Sequence, residues 1–204
     1  MLDFSNSKIL IVGDVMLDKY YFGKVDRISP EAPVPIVNIQ KEESRLGGAS
    51  NVANNIVSLG GHSLLCGVIG HDLFGKEIER ISRHKNIDTF LLKTSSPTIT
   101  KARIIGGKQQ IVRVDYEDKS ELNADNKKLF RDTISRILPE YDILVISDYG
   151  KGLISEDLCR YLIKLAHKYD KKVIIDPKGK NWEKYSGADI VTPNVKELSG
   201  IVGY

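Results

Sequence analysis

Short, continuous apolar runs that end in glycine or aspartate recur along the chain. They are Lys8 to Asp14 (KILIVGD), Leu64 to Gly70 (LLCGVIG), Asp142 to Asp148 (DILVISD), Lys172 to Asp176 (KVIID) and Asp189 to Thr192 (DIVT). A strand with one solvated face alternates polar and apolar residues, so unbroken apolarity predicts strands covered on both sides, as in a parallel sheet. Between these runs, apolar positions at helical spacing predict helices over Ser50 to Leu59, Leu73 to His84, Asp125 to Leu138 and Ser155 to Tyr169. Strand and helix alternate, which predicts an α/β, doubly wound fold.

Two stretches depart from that rhythm. Pro33 to Ile39 (PVPIVNI), and Thr98 to Tyr116 with its Gly106-Gly107-Lys108 turn, alternate with period two and predict extended β structure with a hairpin. Together they form a small β appendage on the α/β body. Such a flap can close over a ligand and exclude water, or it can serve as a dimer contact, and the pattern is compatible with both. No internal repeat or low-complexity linker interrupts the chain, so a single domain over residues 1–204 is expected, with β-lid segments near 20–40 and 98–116.

Composition fits a packed core: 41% of the 204 residues are hydrophobic and 28% charged. The net charge of +3 comes from basic and acidic residues interspersed along the chain. No basic stretch interleaved with aromatics is present, which argues against a nucleic-acid partner and leaves an anionic small substrate open. Cys66 and Cys159 each sit in an apolar run, without disulfide or zinc spacing, and are expected to be buried thiols. Met1 to Lys8 lacks a basic segment followed by an apolar one, and the run from Ile9 to Val12 is too short to cross a bilayer, so no membrane association and a cytoplasmic location are expected.

Candidate chemistry clusters at strand ends. Asp14, in Gly13-Asp14-Val15-Met16-Leu17-Asp18, stands at the carboxyl end of the first strand, where open α/β sheets bind ligands; it can accept hydroxyl hydrogen bonds or merely cap a turn. Gly47-Gly48-Ala49-Ser50-Asn51 offers close backbone approach, with Ser50 as a candidate N-cap and Asn51 in the first helical turn; an ordinary loop-to-helix junction has the same pattern. Lys101 and Arg103 share a strand face and suit a phosphate. Gln110, Arg113 and Asp115 lie on the next strand, where Arg113 and Asp115 can oppose the first pair across the hairpin. A solvated face with cross-strand ion pairs is the alternative.

Asp148-Tyr149-Gly150-Lys151-Gly152 supplies a carboxylate, a lysine and two flexible glycines after a buried strand, and Asp176-Pro177-Lys178 repeats the theme. In Thr192-Pro193-Asn194-Val195-Lys196-Glu197, Asn194 and Glu197 share a face of a helix's first turn. They suit Mg²⁺ held through water, or else the two halves of a capping box. Several chemistries are not supported, because no G-x-x-x-x-G-K-[ST], G-x-G-x-x-G, H-E-x-x-H, G-x-S-x-G or H-x-G-H motif occurs. His62, His71, His84 and His167 show no ligand spacing.

The ordered set G-D-x-x-x-D, G-G-A-x-N-x-A, D-Y-x-K-G, D-P-K and T-P-N-x-x-E, running from Ile9 to Gly203, resembles the ribokinase-like (PfkB) carbohydrate kinase family. Three narrower segments resemble its heptose 7-phosphate kinase branch, found alone or as the first half of a bifunctional enzyme. These are Arg27 to Pro35 (RISPEAPVP), Pro97 to Arg103 (PTITKAR) and Gln109-Gln110. The resemblance implies phosphoryl transfer from ATP, with Mg²⁺, to the C1 hydroxyl of heptose 7-phosphate in ADP-heptose and lipopolysaccharide-core synthesis, and a homodimer formed through the lid.

By the same resemblance, Asp14, Asp18, Gly47, Gly48, Asn51, Lys101, Arg103, Gln110, Arg113, Asp148 and Lys151 hold the sugar phosphate. Lys178, Asn194, Val195, Lys196 and Glu197 face the nucleotide, with Asn194 and Glu197 on the metal. The family's catalytic aspartate belongs to a G-A-G-D segment, which is absent here and expected beyond Tyr204.

Overall fold

The computed structural model describes residues 3–118 and 120–203, so the first two residues of the Met1–Lys8 stretch, and Tyr204, lie outside it. The chain opens with β1 (Lys8–Gly13), β2 (Val15–Ile28), β3 (Pro35–Gly48) and α1 (Ala49–Ser58). There follow β4 (His62–Gly70), α2 (Leu73–His84), β5 (Asp88–Thr94), β6 (Thr100–Gly106) and β7 (Gln109–Tyr116). The remainder is α3 (Ala124–Ile137), β8 (Ile143–Ser147), α4 (Glu156–Lys168), β9 (Lys172–Asp176), β10 (Ile190–Val191) and α5 (Val195–Val202).

Six strands form one parallel sheet in the order β10-β9-β8-β1-β4-β5. The unbroken apolar runs have the cause that the sequence implied. On β1, Leu10 and Val12 face a core made with Phe130 and Ile134 of α3 and Leu162 and Ala166 of α4. Ile9 and Ile11 face the other side, where Ala49 and Ala53 of α1 and Ile78 and Ile81 of α2 cover them. Helices on both faces leave no position on the strand for a polar residue. Cys66 and Cys159 are free thiols buried in the first of these cores.

The helices begin where local chemistry stops the strand or loop before them. Asp72 caps α2 by accepting the Gly75 N–H at 2.8 Å, and its carboxylate also accepts the Thr98 N–H at 2.7 Å. One aspartate therefore ends a loop, starts a helix and pins the segment that leads into β6. Ser155 caps α4, whose first turn carries Glu156 and Asp157 and whose last carries His167 and Lys168, charges that suit the helix dipole at both ends. Among the described residues no helix is long and apolar enough to cross a membrane.

The appendage is larger than the sequence suggested. Four strands in the order β3-β2-β6-β7 form a second sheet, with β2 antiparallel to β3, parallel to β6, and β6 antiparallel to β7. The expected hairpin is present, with Gly107 at a φ of 63° in its turn. The expected strand at 33–39 is instead β3, extending to Gly48, and its partner β2 overlaps the lid segment expected near 20–40 but was not anticipated as a separate strand. Both are 14 residues long and lose burial along β2 from the main sheet outward, so their apolar pattern fades with distance from the core. β5 was also unforeseen; it edges the parallel sheet and is only partly buried.

Candidate functional site

The chain changes sheets at a single residue. β1 ends at Gly13 and β2 begins at Val15, which leaves Asp14 at the carboxyl edge of the parallel sheet and at the root of the second. Its N–H donates to the Ser147 carbonyl at 3.1 Å, and its carbonyl accepts the Ala49 N–H at 3.0 Å. The residue is 2% exposed. Oδ2 accepts the N–H groups of Tyr149 at 2.8 Å and Lys151 at 3.1 Å, whereas Oδ1 is buried and has no hydrogen-bond partner among the described residues. Burial pushes the carboxyl up from 3.8 to about 6, against the opposing pull of those two N–H groups. A buried acceptor left without a donor is costly, and a ligand hydroxyl supplies what is missing.

The paired glycines approach Asp14 from β3. Gly48 has a φ of 54°, and a Cβ there would come within 2.3 Å of the Asp14 carbonyl oxygen, so the position accepts only glycine. Gly48 is also the N-cap of α1, without a side-chain cap. That corrects the expected capping role of Ser50, which lies inside the first turn and donates its hydroxyl to the carbonyls of Gly47 at 2.6 Å and Met16 at 3.1 Å. The positive φ of Gly48 turns the chain into the helix early enough to put Ser50 past the cap. Asn51 lies in the first turn, as expected, and is exposed.

Beside it, an open cleft of about 640 Å³ separates the start of α1 from the second sheet and gathers Asp18, Gly47, Gly48, Asn51, Lys101 and Arg103. Asp18 is in register with Arg45 on one neighbouring strand and Lys101 on the other. Arg103 donates to Asp18 Oδ1 at 2.5 Å and stands over the Tyr20 ring at 5.2 Å. Arg45, 4.9 Å over the same ring, pairs with Glu43. Lys101 has no carboxylate partner among the described residues. Arg45, Lys85 and Tyr149 also line the cleft and were not foreseen. The β2–β3 register alone brings Arg45 in, while Lys85 arrives from the end of α2, far from any motif.

Other expected residues fall elsewhere. Arg113 lies opposite Arg103 and Asp115 opposite Lys101, as the hairpin geometry required. Arg113 bonds Asp115 on its own strand at 2.8 and 2.9 Å, so the expected cross-strand pairing is replaced by a same-strand one. Gln110 and Arg113 belong to β7, exposed throughout, and neither lines the cleft.

Asp148 is 2% exposed and fully engaged: Oδ1 accepts the Gly150 N–H at 2.7 Å, and Oδ2 accepts Lys184 Nζ at 2.5 Å and the Tyr185 hydroxyl at 2.7 Å. It holds loops together, with both oxygens bonded within the chain. Lys151 pairs with Glu117 and, with Asp14, lines a second cavity of about 360 Å³ on the α3 side. The expected sugar-binding set is thus divided between two neighbouring hollows, because the turn from β1 into β2 aims the Asp14 carboxylate at the 149–151 loop.

On the far side of Tyr149 lie the residues expected to face a nucleotide. Asn194 and Glu197 form a capping box on α5, with Asn194 Oδ1 accepting the Glu197 N–H and Glu197 Oε2 accepting the Asn194 N–H, both at 3.0 Å. Asn194 Oδ1 is therefore already occupied, which gives this residue the capping role that the spacing left open. Glu197 Oε1 accepts Lys178 Nζ at 3.0 Å. Val195 and Lys196 are exposed on the same turn. Burial, and next the charge of Glu197, push the Asp176 carboxyl up. Burial also presses Glu197 upward, but the Asn194 N–H and Lys178 outweigh it and the net direction is down. No cluster of three or more direct metal-ligating side chains exists among the described residues.

The family model of the pfkB family carbohydrate kinases matches residues 6–204. The chain is 48% identical, over 94% of its length, to the bifunctional protein HldE of Helicobacter pylori strain P12, and covers 42% of that protein. It is 44% identical, over 98% of its length, to the D-beta-D-heptose 7-phosphate kinase of Bordetella bronchiseptica, and covers 63% of it. The chain therefore spans less than two thirds of these relatives. Among solved structures, the tetrameric inhibited form of phosphofructokinase-2 from Escherichia coli superposes with a TM-score of 0.72. At 22% identity, covering 97% of this chain and 64% of that one, it shares the fold. A family match along nearly the whole chain, joined to relatives of such identity, shows that the chain belongs to the pfkB family of carbohydrate kinases.

Proposed function

We propose that these residues form the sugar-recognising portion of a kinase that moves the γ-phosphoryl group of ATP onto the C1 hydroxyl of D-glycero-β-D-manno-heptose 7-phosphate. The product is the 1,7-bisphosphate, on the way to an ADP-heptose for lipopolysaccharide core. The observation that carries the reading is the cleft, which sets a carboxylate, an amide and the cations of Lys101 and Arg103 around one open volume beside a buried, donor-seeking Asp14. The relatives' heptose 7-phosphate kinase name supports the substrate.

In this reading Asp14, Asp18, Gly47, Gly48 and Asn51 take the sugar hydroxyls. Lys101 and Arg103 take the 7-phosphate, with Arg45 and Lys85 strengthening the positive field around it. The second sheet acts as the lid and as the contact of a homodimer, and the protein works in the cytoplasm without membrane or nucleic acid. Gln110 and Arg113 reach substrate only when the lid closes.

Asp176, Glu197 and Lys178 face ATP and Mg²⁺. Asp176, pushed up by burial and next by the charge of Glu197, forms with it a pair of carboxylates that suits a hydrated cation between them, since Mg²⁺ keeps several waters and is held by few side chains. When bound, the ion supplies charge neutralisation at the transferring phosphates. The residues themselves bind, orient and exclude water. No G-x-G-D occurs among them, so none is assigned as the base that takes the hydroxyl proton.

Calorimetric titration tests the substrate. Heptose 7-phosphate should bind at least about tenfold more tightly than the unphosphorylated heptose, the equivalent of one charge-assisted contact. Equal or tighter binding of ribose or fructose 6-phosphate would refute the assignment.

A further inference from the structure

Lys151 was expected among the sugar-phosphate ligands, yet its surroundings give it other work. It lies between Gly150, at a φ of 65°, and Gly152, at 106°, and this doubly left-handed turn sends its two polar groups in different directions. The backbone N–H goes inward to Asp14 Oδ2 at 3.1 Å, next to the Tyr149 N–H on the same oxygen. The ammonium goes to Glu117, with 14% of the lysine side chain and 22% of the glutamate exposed. Glu117 is the first residue after β7. Its neighbour Tyr116, the last residue of that strand, tilts against Phe74 of α2 with ring centroids 5.4 Å apart. The chain descending from the second sheet is thus fastened to the body at two successive residues, one of which is also bound to the loop that holds Asp14.

We propose that the Lys151–Glu117 pair is a positioning strut: it keeps the 149–151 N–H groups on Asp14 Oδ2 and ties that grip to the root of the second sheet. The proposal rests on Asp14 as the sugar-hydroxyl ligand only where it bears on binding. The strut itself is a property of the ligand-free chain. Displacing the 150–152 turn withdraws donors from a carboxylate that otherwise feels only the more weakly acting Leu153 N–H, so Asp14 should become harder to ionise. The charged or titratable groups around Asp14 are Lys151 and Tyr149 on this turn, Asp148 at the end of β8 with Lys184 beyond it, Glu117 and Asp118 below the second sheet, and Glu121 ahead of α3.

The decisive experiment follows the Asp14 carboxyl by carbon-detected NMR as pH is varied, in the ligand-free chain and in Lys151→Met, Glu117→Gln, Lys151→Arg and the exchanged pair Lys151→Glu with Glu117→Lys. The Asp14 midpoint should rise in Lys151→Met and Glu117→Gln, stay near its original value in Lys151→Arg, and return toward it in the exchanged pair. An unchanged midpoint in both Lys151→Met and Glu117→Gln overturns the strut, and so does a rise that the exchange does not reverse.

Titrations with heptose 7-phosphate and with inorganic phosphate separate this from the sugar assignment. If the original chain does not bind the heptose, the sugar reading fails while the NMR result still decides the strut. If it binds, Lys151→Met and Glu117→Gln should weaken heptose binding about tenfold, the loss of one hydrogen bond to a charged group, and leave inorganic phosphate unaffected. A parallel fall in inorganic phosphate affinity would make Lys151 a phosphate ligand and overturn the proposal. Glu117→Gln, nearly isosteric, guards against a variant that fails to fold.

Discussion

Asp14 carries a conflict that its neighbours do not resolve. Buried and half satisfied, its carboxyl ionises near 6 instead of 3.8. Folding therefore favours its protonated form, and that contribution is complete below 3.8 and is lost as pH rises through about 6. Above that pH the ionised group costs at most about 3 kcal/mol. We expect Asp14→Asn, which cannot ionise, to melt at a higher temperature than the original chain at pH 8, with the difference closing toward pH 4. A melting series across that range measures it, and a difference independent of pH would contradict the assignment. The same variant should lose heptose 7-phosphate binding, since stability gained here is taken from the site. Gly48 shows the opposite constraint: Gly48→Ala forces a side chain into a φ of 54° and within 2.3 Å of the Asp14 carbonyl, so the melting temperature and heptose affinity should fall together. These two residues, with Asn51, Lys101 and Arg103, were legible because each stands at a fixed offset from a strand end or a glycine pair. Lys85 and Glu117 were not, since each reaches its place through long-range packing that leaves no local spacing; Tyr149, though inside a motif at a strand end, was passed over for its charged neighbours.

At the scale of elements, β6 separates two cations that the sequence treats as equals. Lys101 and Arg103 share a face, but Arg103 is held by Asp18 at 2.5 Å and lies over Tyr20, whereas Lys101 has no carboxylate partner among the described residues. Arg103→Gln should therefore cost about 1 kcal/mol of stability, through a partly exposed ion pair and a cation–π contact, in addition to weakening phosphorylated-sugar binding. Lys101→Gln should weaken binding alone. Denaturant melts beside titrations with heptose and its 7-phosphate check this, and equal stability losses in both variants would count against it. Five of the six strands of the parallel sheet were readable because burial on both faces writes an unbroken apolar run, and the four long helices because their apolar spacing is helical, with side-chain caps agreeing in α2, α3 and α4. β2 was read only as part of a lid segment near 20–40, and not as a strand of its own, for the converse reason. Its outer half pairs with β3 while both faces meet water, so register is set by backbone pairing and by the partners of Asp18, and not by any apolar alternation.

Across the whole molecule, burial falls away from β1 in two directions, and the two gradients meet different needs. Leu10, Ile11 and Val12 are wholly buried between helical layers, and the sheet is most protected there. Outward through β9 the sheet ends in β10, a strand of two residues paired, among the described residues, with β9 alone, followed by α5, which has no buried residue and exposes Val195 at 81%. In the other direction, β7 is exposed along its length and is fastened to the body at its foot by Tyr116 and Glu117. Local opening costs least where few apolar contacts must be broken, so hydrogen exchange should run in the order α5 and β10 first, β7 next, and β1, β4 and β8 last. Mass-detected exchange on peptides covering these strands measures the order. Exchange of α5 as slow as that of β1 would contradict it. The arrangement is consistent with sugar recognition: the rigid center fixes Asp14 and the start of α1, while α5, expected to meet the nucleotide, and β7, expected to reach substrate on lid closure, are the elements with the least to lose by moving.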